Sequence, residues 1–443
     1  MSEILPVSAA APLVRARGSV PRLCIALVTE TFPPEVNGVA MTIGRMLDGL
    51  LRRGHEVQLV RPRQQPDEQP RENARLSEIL VSSVPLPRYA GLRVGMFATG
   101  KLRGTWRAAR PDIVHVVTEG PLGWSALTAA RQLGLPATSD FHTNFHSYSA
   151  HYGVGFLKSA IGAYLRRFHR RSLCTFVPTR QLRDELMQEG YGALSVVARG
   201  VDTRLFHPQR RNAALRARWG VAPDDPAVVY VGRIAPEKNL ALLLSSFAAV
   251  KRLRPGARLV LVGDGPSRAR LERDYPGHVF AGMRSGEDLA AHYASGDLFL
   301  FPSTTETFGN VTIEAMASGL AVAAYDYAAA REHIVHGESG LLAAFDDRAA
   351  FERTALELAA EPGRTGMLRR NARRAAERID WDSVIDLFAQ ELAAWRQAAR
   401  ADRGQVYTLL SPCGYKPPPG ESLAEGTTKY RPDPSVRSPC PPI

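Results

Sequence analysis

Short apolar runs alternate with amphipathic segments along this chain, and the alternation occurs twice. The first series of runs, whose lengths are typical of buried strands, is RLCIALVTE, EVQLVRP and PDIVHVVTE. Between the first two of these, GVAMTIGRMLDGLLRRG predicts a helix that ends at Gly54. The second series is PAVVYVGRI, ARLVLVGDG, GHVFAGM, DLFLFPS and LAVAAYDY, with helical segments between the runs. Strands that alternate with helices form parallel sheets, so we predict an α/β fold with two doubly wound domains in tandem.

The domain boundaries follow from breaks in this pattern. A chain of 443 residues is long for a single core, which already favours two domains. Charged residues and proline replace the periodic pattern in ARGVDTRLFHPQRRN, so we place the domains at residues 22–200 and 201–382. A last helix, WDSVIDLFAQELAAWRQAA, provides residues 383–400. The composition of residues 404–443, rich in Pro, Gly, Ser and Lys, predicts disorder, and we expect the same of the extension 1–21.

Cysteine usage and hydropathy bear on the compartment. The four cysteines are widely spaced and form no Cys-x-x-Cys pair, so they indicate neither a zinc site nor a disulfide framework. No apolar run reaches the roughly 18 residues of a membrane span, and the N-terminal residues lack the features of a signal peptide. We therefore expect a cytoplasmic protein. Its positive charge also raises peripheral contact with the inner face of the plasma membrane as an expectation.

That charge is +12, and part of it is concentrated in one segment. No acidic residue occurs between Asp140 and Asp184, whereas seven Lys and Arg residues do. Within this stretch, GFLKSAIGAYLRRFHRRS places apolar residues at helical spacing beside basic ones: Phe156, Leu157, Ile161, Tyr164, Leu165 and Phe168. This pattern is typical of a basic amphipathic helix on an anionic membrane, and equally of a core helix with a solvated basic side.

The strongest candidate site is ETFGNVTIE, which follows the apolar run DLFLF. A loop after a buried parallel strand leaves the carboxyl edge of the sheet, where ligands bind in open α/β folds. The next helix is predicted to begin near Asn310, so its free N–H groups form an anion site that Gly309 lets a phosphate approach. Glu306 and Glu314 stand on either side, and each carboxylate can accept hydrogen bonds from two neighbouring hydroxyls. A sugar at one end and a ribose at the other would satisfy both; a helix cap and a solvated helix face are the alternative.

Three further loops lie at predicted carboxyl edges. GRIAPEKN supplies Arg233 and Lys238, two cations able to neutralise a diphosphate without a metal, although exposed loop charges would look the same. Gly38 follows Asn37 between the first strand and the first helix, where backbone amides can approach a phosphate; turns also use this pair. His142, in SDFHTNFH, follows a strand-like stretch, but a lone histidine is more often structural than functional.

Taken together, these motifs resemble the retaining glycosyltransferases of family 4, whose GT-B architecture places two Rossmann-like domains face to face across a cleft. The resemblance extends over roughly residues 22–400 and is carried by NGVAMT, DFHTNF, RGVDTRLF, GRIAPEKN, GDGP and ETFGNVTIEAMASG. It implies that Gly38 lies in the donor-phosphate loop and His142 beside the transferred sugar. It further implies that Arg233 and Lys238 hold the diphosphate.

The resemblance assigns the remaining donor contacts to the second domain. It implies that Glu306 binds sugar hydroxyls, that Glu314 binds the nucleotide ribose and that the backbone near Met283 meets the base. The residues implied to present backbone amides to the sugar and phosphate are Phe308, Gly309, Asn310 and Val311. No cofactor is implied, since the nucleotide sugar, GDP-mannose or a UDP-sugar, is a co-substrate, and no metal is expected because Asp380 and Asp382 are better explained as helix capping.

The acceptor and the rival functions complete the prediction. DFHTNFHSYSAHYG and the basic segment after it look like the subgroup of GDP-mannose-dependent mannosyltransferases and glycolipid synthases, which implies transfer of a hexose to a lipid or glycan acceptor. Alternatives are a UDP-sugar-dependent enzyme making a glycolipid or polysaccharide, and a nucleotide-sugar epimerase. A phosphorylase would need a pyridoxal-phosphate lysine, for which no motif is found. We expect no nucleic-acid partner, because the motifs cluster at sheet edges instead of interleaving basic residues with aromatics.

Overall fold

The computed structural model describes residues 21–35, 37–85, 93–142 and 158–409. Most of the N-terminal extension and the last 34 residues therefore lie outside the described residues, as do Phe156 and Leu157 of the basic segment. None of the helices within the described ranges is long and apolar enough to cross a bilayer.

The first domain is built on a seven-stranded parallel sheet. Its strands and those of a small ribbon are β1 (Cys24–Val28), β2 (Glu56–Pro62), β3 (Leu76–Val81), β4 (Ser83–Pro85), β5 (Arg93–Gly95), β6 (Ile113–Val116), β7 (Ala137–Asp140), β8 (Thr175–Val177) and β9 (Leu194–Val196). The order in the sheet is β3-β2-β1-β6-β7-β8-β9, and β4 pairs with β5 as an antiparallel ribbon. The helices are α1 (Gly38–Arg52), α2 (Thr99–Ala108), α3 (Pro121–Gln132), α4 (Lys158–His169) and α5 (Arg180–Gln188).

The second domain repeats this plan with six parallel strands. They are β10 (Ala227–Val231), β11 (Arg258–Val262), β12 (Val279–Gly282), β13 (Leu298–Phe301), β14 (Ala321–Tyr325) and β15 (Leu341–Ala343), in the order β12-β11-β10-β13-β14-β15. Its helices are α6 (Ala213–Arg218), α7 (Leu240–Leu253), α8 (Arg268–Asp274), α9 (Gly286–Ala294), α10 (Asn310–Ala317), α11 (Ala328–His333), α12 (Arg348–Ala360) and α13 (Pro362–Ala376). The two doubly wound sheets confirm the predicted α/β fold, because crossover helices join parallel strands in both.

The chain crosses between the two sheets at adjacent points. Val201 pairs in parallel with Asp380, and its N–H donates to the carbonyl of Ile379 at 2.9 Å. Beyond this point, α14 (Trp381–Leu409) packs back onto the first domain, where Ile385 and Phe388 join the core around β1. The helix extends to Leu409, past the position at which composition predicts disorder.

The contact between α14 and α1 depends on a glycine. A Cβ placed at Gly49 would lie 2.2 Å from Cδ1 of the fully buried Ile385, so the two helices approach too closely for a larger residue. Gly49→Ala is therefore expected to lower the free energy of unfolding by about 1–3 kcal/mol through overpacking, measured by urea denaturation. Gly104→Ala in α2 is the matched control, because nothing lies within 4 Å of its added methyl. That variant should gain about 0.5–1 kcal/mol, and a similar gain for Gly49→Ala would contradict the packing argument.

Candidate functional site

Glu306 is held in an ion pair at the carboxyl edge of the second sheet. Its Oε1 lies 2.5 Å from Lys238 Nζ and accepts a hydrogen bond from Ser303 Oγ at 2.7 Å. The partners meet because β10 and β13 are neighbours in the sheet, so the loops that follow them share one edge. Burial alone would raise the pKa of Glu306, but the charge and hydrogen bond of Lys238, aided by Ser303, lower it below its ordinary value. The carboxylate is therefore ionised at neutral pH and able to accept hydrogen bonds.

The N-terminus of α10 lies directly after this carboxylate. Gly309 caps the helix with φ +90°, a left-handed conformation that side-chain-bearing residues rarely adopt. Phe308 before it is buried, and the hydroxyl of Tyr327 donates to the backbone carbonyl of Glu306 at 2.8 Å, which fixes the loop. The first amides of α10, which include those of Asn310 and Val311, thus open at the sheet edge, as the sequence predicts for an anion site.

Glu314, one turn into α10, has a different environment. It accepts a hydrogen bond from the hydroxyl of Tyr293 at 2.9 Å, and no cation pairs with it among the described residues. Burial raises its pKa to about 7, which the hydrogen bond from Tyr293 only partly opposes. The two glutamates of the motif therefore differ in charge state near neutral pH, since Glu306 is ionised and Glu314 is close to half-protonated.

Two more predicted donor residues follow strands of the same sheet. Arg233 comes after β10, and its Nη1 lies 3.3 Å from Oε1 of Glu237, whose side chain is fully buried. Thr305 donates to the backbone carbonyl of Glu237 at 3.2 Å, which ties the two loops together. Met283 comes after β12 and is 60% exposed. All predicted residues of the second domain thus lie on loops, or at the start of a helix, after the carboxyl ends of its strands.

In the first domain, His142 belongs to a buried polar cluster at the end of β7. Its Nε2 lies 2.8 Å from Asp140 Oδ2, and its Nδ1 lies 2.7 Å from Nη2 of Arg199. The other carboxylate oxygen of Asp140 lies 3.2 Å from Nε2 of His115. Burial would raise the pKa of Asp140, but the two imidazoles outweigh it and hold that pKa well below its usual range.

The loops of the two domains meet. Gly38 is the first residue of α1, which Asn37 caps by accepting the N–H of Ala40 at 2.8 Å. A Cβ placed at Gly38 would lie 3.7 Å from Nδ2 of Asn310. Arg199, bound to His142 of the first domain, lies with its Cζ 5.8 Å from the ring centroid of Phe308 of the second. The structure thus brings Gly38 close to Asn310, and the His142–Arg199 pair close to Phe308, in the cleft where the loops of the two domains meet.

Several residues of this cleft were not singled out by sequence reasoning. Asp140 begins the motif DFHTNF, two residues before His142, and a carboxylate at the end of a strand is a signal that could have identified it. Arg199 lies in RGVDTRLF, which marked the domain boundary and contributed to the family resemblance, but no ligand contact was assigned to it. Ser303 and Tyr293 carry no local signal, because hydroxyl residues are common and their partners are only apparent in the folded chain.

The basic segment forms α4 with part of its apolar side turned inward. Leu165 and Phe168 are buried in the first domain, whereas Tyr164 is 41% exposed. The guanidinium of Arg171 lies 4.4 Å from the ring centroid of Trp124, and that of Arg167 lies 5.8 Å from it. The described part of this helix is therefore a packed helix with a basic outer side.

No group of three or more His, Cys, Asp or Glu side chains that could hold a metal ion occurs within the described ranges. Asp380 caps α14, since its Oδ1 accepts the N–H of Ser383 at 2.8 Å and its Oδ2 accepts the Ser383 hydroxyl. Asp382 pairs with Arg53 at 3.2 Å. Both aspartates thus have structural partners.

Comparison with known proteins identifies the family of this chain. Residues 36–205 match the model of "Glycosyltransferase Family 4", and residues 225–361 match that of "Glycosyl transferases group 1". A GDP-mannose-dependent alpha-mannosyltransferase of Mycobacterium tuberculosis is 38% identical over 72% of this chain and 83% of its own length. An alpha-monoglucosyldiacylglycerol synthase of Acholeplasma laidlawii is 26% identical over 67% of this chain and 79% of its own.

The solved structures agree with the fold. The sucrose-phosphate synthase of Thermosynechococcus elongatus superposes with a TM-score of 0.68 at 21% identity, covering 86% of this chain and 100% of that one. This likeness supports the predicted GT-B architecture, and the sequence matches above extend over both of its domains. The chain belongs to glycosyltransferase family 4.

Proposed function

We propose that this enzyme transfers mannose from GDP-mannose, with retention of anomeric configuration, to a lipid or lipid-linked acceptor. The observation that carries the proposal is the ionised Glu306, paired with Lys238 beside the N-terminus of α10. The name of the Mycobacterium tuberculosis relative supports GDP-mannose as the donor, and that of the Acholeplasma relative supports a lipid acceptor. Both relatives match over two thirds or more of this chain and of their own lengths.

The donor would bind across the edge of the second sheet. Arg233 and Lys238 would neutralise the diphosphate, and the first amides of α10 would donate to its oxygens. Lys238 has three donors, so it can contact a phosphate and keep its bond to Glu306. Glu306 would then hold sugar hydroxyls while Glu314 holds the ribose. The backbone near Met283 would meet the base, and the amides at Gly38 would close on the diphosphate from the first domain.

Chemistry in this site would rest on position and charge. As the diphosphate leaves, its negative charge grows between Arg233 and Lys238, which stabilise it more strongly than they stabilise the intact donor. The acceptor hydroxyl would attack from the same face and give its proton to the departing diphosphate, so no separate general base is required. Two protein cations would also make a metal unnecessary, and we propose that the reaction is metal-independent.

A panel of donors tests the proposal directly. We would measure nucleotide release from GDP- and UDP-sugars in EDTA, with and without anionic liposomes that carry bacterial lipid extract. Release from GDP-mannose only when lipid is present is the expected result. Lipid-dependent release from a UDP-sugar would show that the donor is that UDP-sugar and not GDP-mannose. Release at the same rate with and without lipid would indicate a soluble acceptor. Conversion of the donor without any acceptor would indicate an epimerase.

The elevated pKa of Glu314 predicts a pH-dependent donor affinity. Hydrogen bonds from ribose hydroxyls favour the carboxylate, yet the free enzyme holds a proton on this group below about pH 7. The dissociation constant of GDP-mannose is therefore expected to fall, by up to tenfold per pH unit, as pH rises from 6 towards 7, and then to level off. Calorimetric titration from pH 6 to 8 measures this dependence. Glu314→Gln should bind more weakly and with no such slope, and an unchanged slope would disprove the assignment.

The same group predicts how stability changes with pH. Because the folded pKa of Glu314 lies above its unfolded value of 4.5, the folded state holds the proton more tightly between these two values. Its contribution to stability is therefore present at low pH and lost as pH rises through about 7. In urea denaturation, Glu314→Gln should be more stable than wild type at pH 8 and nearly equal to it at pH 5.

We further propose that the enzyme works at the inner face of the plasma membrane, touching anionic lipid through a basic surface formed by Arg131, Arg167 and Arg171 around Trp124. Arg167 and Arg171 both lie over Trp124, and Arg131 is close enough to contribute, after burial, to the lowered pKa of Arg171. Three guanidinium groups and an aromatic ring on one surface are suited to lipid phosphates.

Charge reversal tests this surface. The double variant Arg167→Glu, Arg171→Glu is expected to bind vesicles containing phosphatidylglycerol about 10- to 100-fold more weakly in sedimentation assays, since each basic residue contributes roughly 1 kcal/mol. Neutral vesicles should show little difference. The control is Arg353→Glu, Arg378→Glu, an equal charge change at two exposed positions of the second domain. Equal losses in both double variants would show that only net charge matters and would refute a specific surface.

A further inference from the structure

We infer that Arg199 is an additional donor-binding residue, whose guanidinium donates hydrogen bonds to hydroxyl oxygens of the transferred sugar. His142 acts through it as a positioning residue. The inference rests on the proposed function, because it names a further contact to the sugar of the same donor.

The backbone of Arg199 is fixed where the chain passes between the domains. It follows β9 and precedes Gly200, where an added Cβ would lie 2.8 Å from the backbone of Trp381. The next residue, Val201, pairs with Asp380. The two segments that connect the domains, around residues 200 and 380, therefore contact each other and fix the backbone of Arg199. Its side chain extends from there into the cleft between the two domains.

The side chain of Arg199 connects groups from both domains. Its Nη2 donates to Nδ1 of His142 at 2.7 Å, and its Cζ lies 5.8 Å from the ring centroid of Phe308. Because a guanidinium has no acceptor, Nδ1 of His142 must be the unprotonated nitrogen and the ring proton is on Nε2. His142 is thereby held as an acceptor for Arg199, and it fixes the direction of the guanidinium.

Arg199 has unused donor capacity at this position. A guanidinium carries five N–H donors, and among the described residues only His142 accepts a hydrogen bond from it. The residue is 7% exposed, so the group is nearly enclosed but still open to the cleft. Burial lowers its pKa to about 10, which leaves it charged at neutral pH. A charged, nearly enclosed group with unfilled donors is suited to a ligand that brings acceptor oxygens.

The surrounding charges favour hydroxyls over phosphate as that ligand. The carboxylates of Asp140 and Glu306 both attract the guanidinium and raise its pKa against the effect of burial. A further anion placed here would be repelled by the two carboxylates, whereas a neutral polyol would not. Glu306 is also the residue proposed to hold sugar hydroxyls, so Arg199 and Glu306 can bind the same sugar, one as a donor and one as an acceptor.

The test separates the sugar from the nucleotide. For wild type and Arg199→Met we would measure, by calorimetry, the affinity of GDP and of a slowly reacting 2-fluoro analogue of GDP-mannose. The analogue should bind about 10- to 100-fold more weakly to the variant, as expected for a lost charged hydrogen bond, while the affinity of GDP changes less than twofold. Arg199→Lys should recover part of the loss. The matched control, Arg204→Met at an exposed position, should change neither affinity.

Deoxygenated donors locate the contact and test the role of His142. Wild type should bind one of the 3-, 4- and 6-deoxy analogues of GDP-mannose more weakly than GDP-mannose itself. Arg199→Met should bind that analogue and GDP-mannose with equal affinity, because this variant has already lost the hydrogen bond to the missing hydroxyl. His142→Ala should show the same loss of affinity for the sugar analogue as Arg199→Met. The double variant His142→Ala, Arg199→Met should bind the analogue no more weakly than Arg199→Met alone.

Equal losses for GDP and for the sugar analogue would overturn the inference by placing Arg199 on the diphosphate. Unchanged affinities with a lowered unfolding temperature would overturn it by making the residue structural. A wild-type enzyme that binds GDP but not the mannose analogue would contradict the proposed donor instead. The affinity measurements on the Arg199 variants would then be made with the sugar nucleotide that the donor panel identifies, and the same two outcomes would overturn the inference.

Discussion

Replacing Glu306 with alanine is expected to lower kcat for sugar transfer by about 1,000-fold or more. The carboxylate is ionised and pre-positioned by Lys238 and Ser303, so the hydrogen bonds that we propose it makes to the sugar would need no reorganisation during the reaction. Loss of a single pre-organised electrostatic contact in an active site typically reduces kcat by 100- to 1,000-fold. Here the variant also removes the carboxylate that pairs with Lys238, which disturbs the cation that is proposed to receive the leaving diphosphate.

Two companion variants make this result specific. Glu306→Gln keeps the size of the side chain but not its charge, and should lose about 100-fold in kcat. Glu338→Ala removes a carboxylate at an exposed position of the same domain and should leave kcat unchanged. Single-turnover kinetics, with circular dichroism to verify folding, would measure these effects. If the Glu306→Ala protein is folded and keeps more than a tenth of the wild-type kcat, Glu306 does not bind the transferred sugar.

The motif around Glu306 was predictable because its signals are local. An apolar run, a Phe-Gly-Asn turn and a helical segment lie within about twenty residues, and the structure shows β13, the left-handed Gly309 and α10 in that order. Most of the longer strands were predictable for the same reason, although β3 (Leu76–Val81) was not predicted. By contrast, β8 and β9 have three residues each, which is too short for a periodic pattern to be recognised.

The cluster in the first domain was less predictable, since its signals are not local. Arg199 contacts a histidine 57 positions away, and neither residue type indicates the other in the sequence. The basic helix shows a different limit. Its pattern fits a membrane-bound helix and a packed helix equally well, and only tertiary contacts reveal that Leu165 and Phe168 are buried. Local sequence thus predicts which loops leave the carboxyl edges of the sheets, while contacts between distant segments determine which side chains meet there.

Replacing Lys238 with methionine is expected both to slow transfer and to move its pH dependence to higher pH. The lost cation should lower kcat by about 100- to 1,000-fold, because developing charge on the diphosphate then has one fewer partner. In wild type, the charge of Lys238 is the main factor that opposes burial and lowers the pKa of Glu306. Without it, only Ser303 and Arg199 oppose burial, so that pKa should rise, and the residual activity should increase with pH over a range in which the wild-type enzyme is already fully active.

The sign of the stability change provides an independent measurement. In wild type, the lowered pKa of Glu306 contributes stability that is present above the unfolded value of 4.5 and lost as pH falls through the lower folded pKa. In Lys238→Met the folded pKa should rise, so the stability at pH 5 relative to that at pH 8 should be higher than in wild type. Urea denaturation at both pH values measures this, and Lys238→Arg, which keeps the charge, should behave as wild type. A methionine variant with the wild-type pH profile of both kcat and stability would show that Lys238 does not control Glu306, because both profiles depend on the same ion pair.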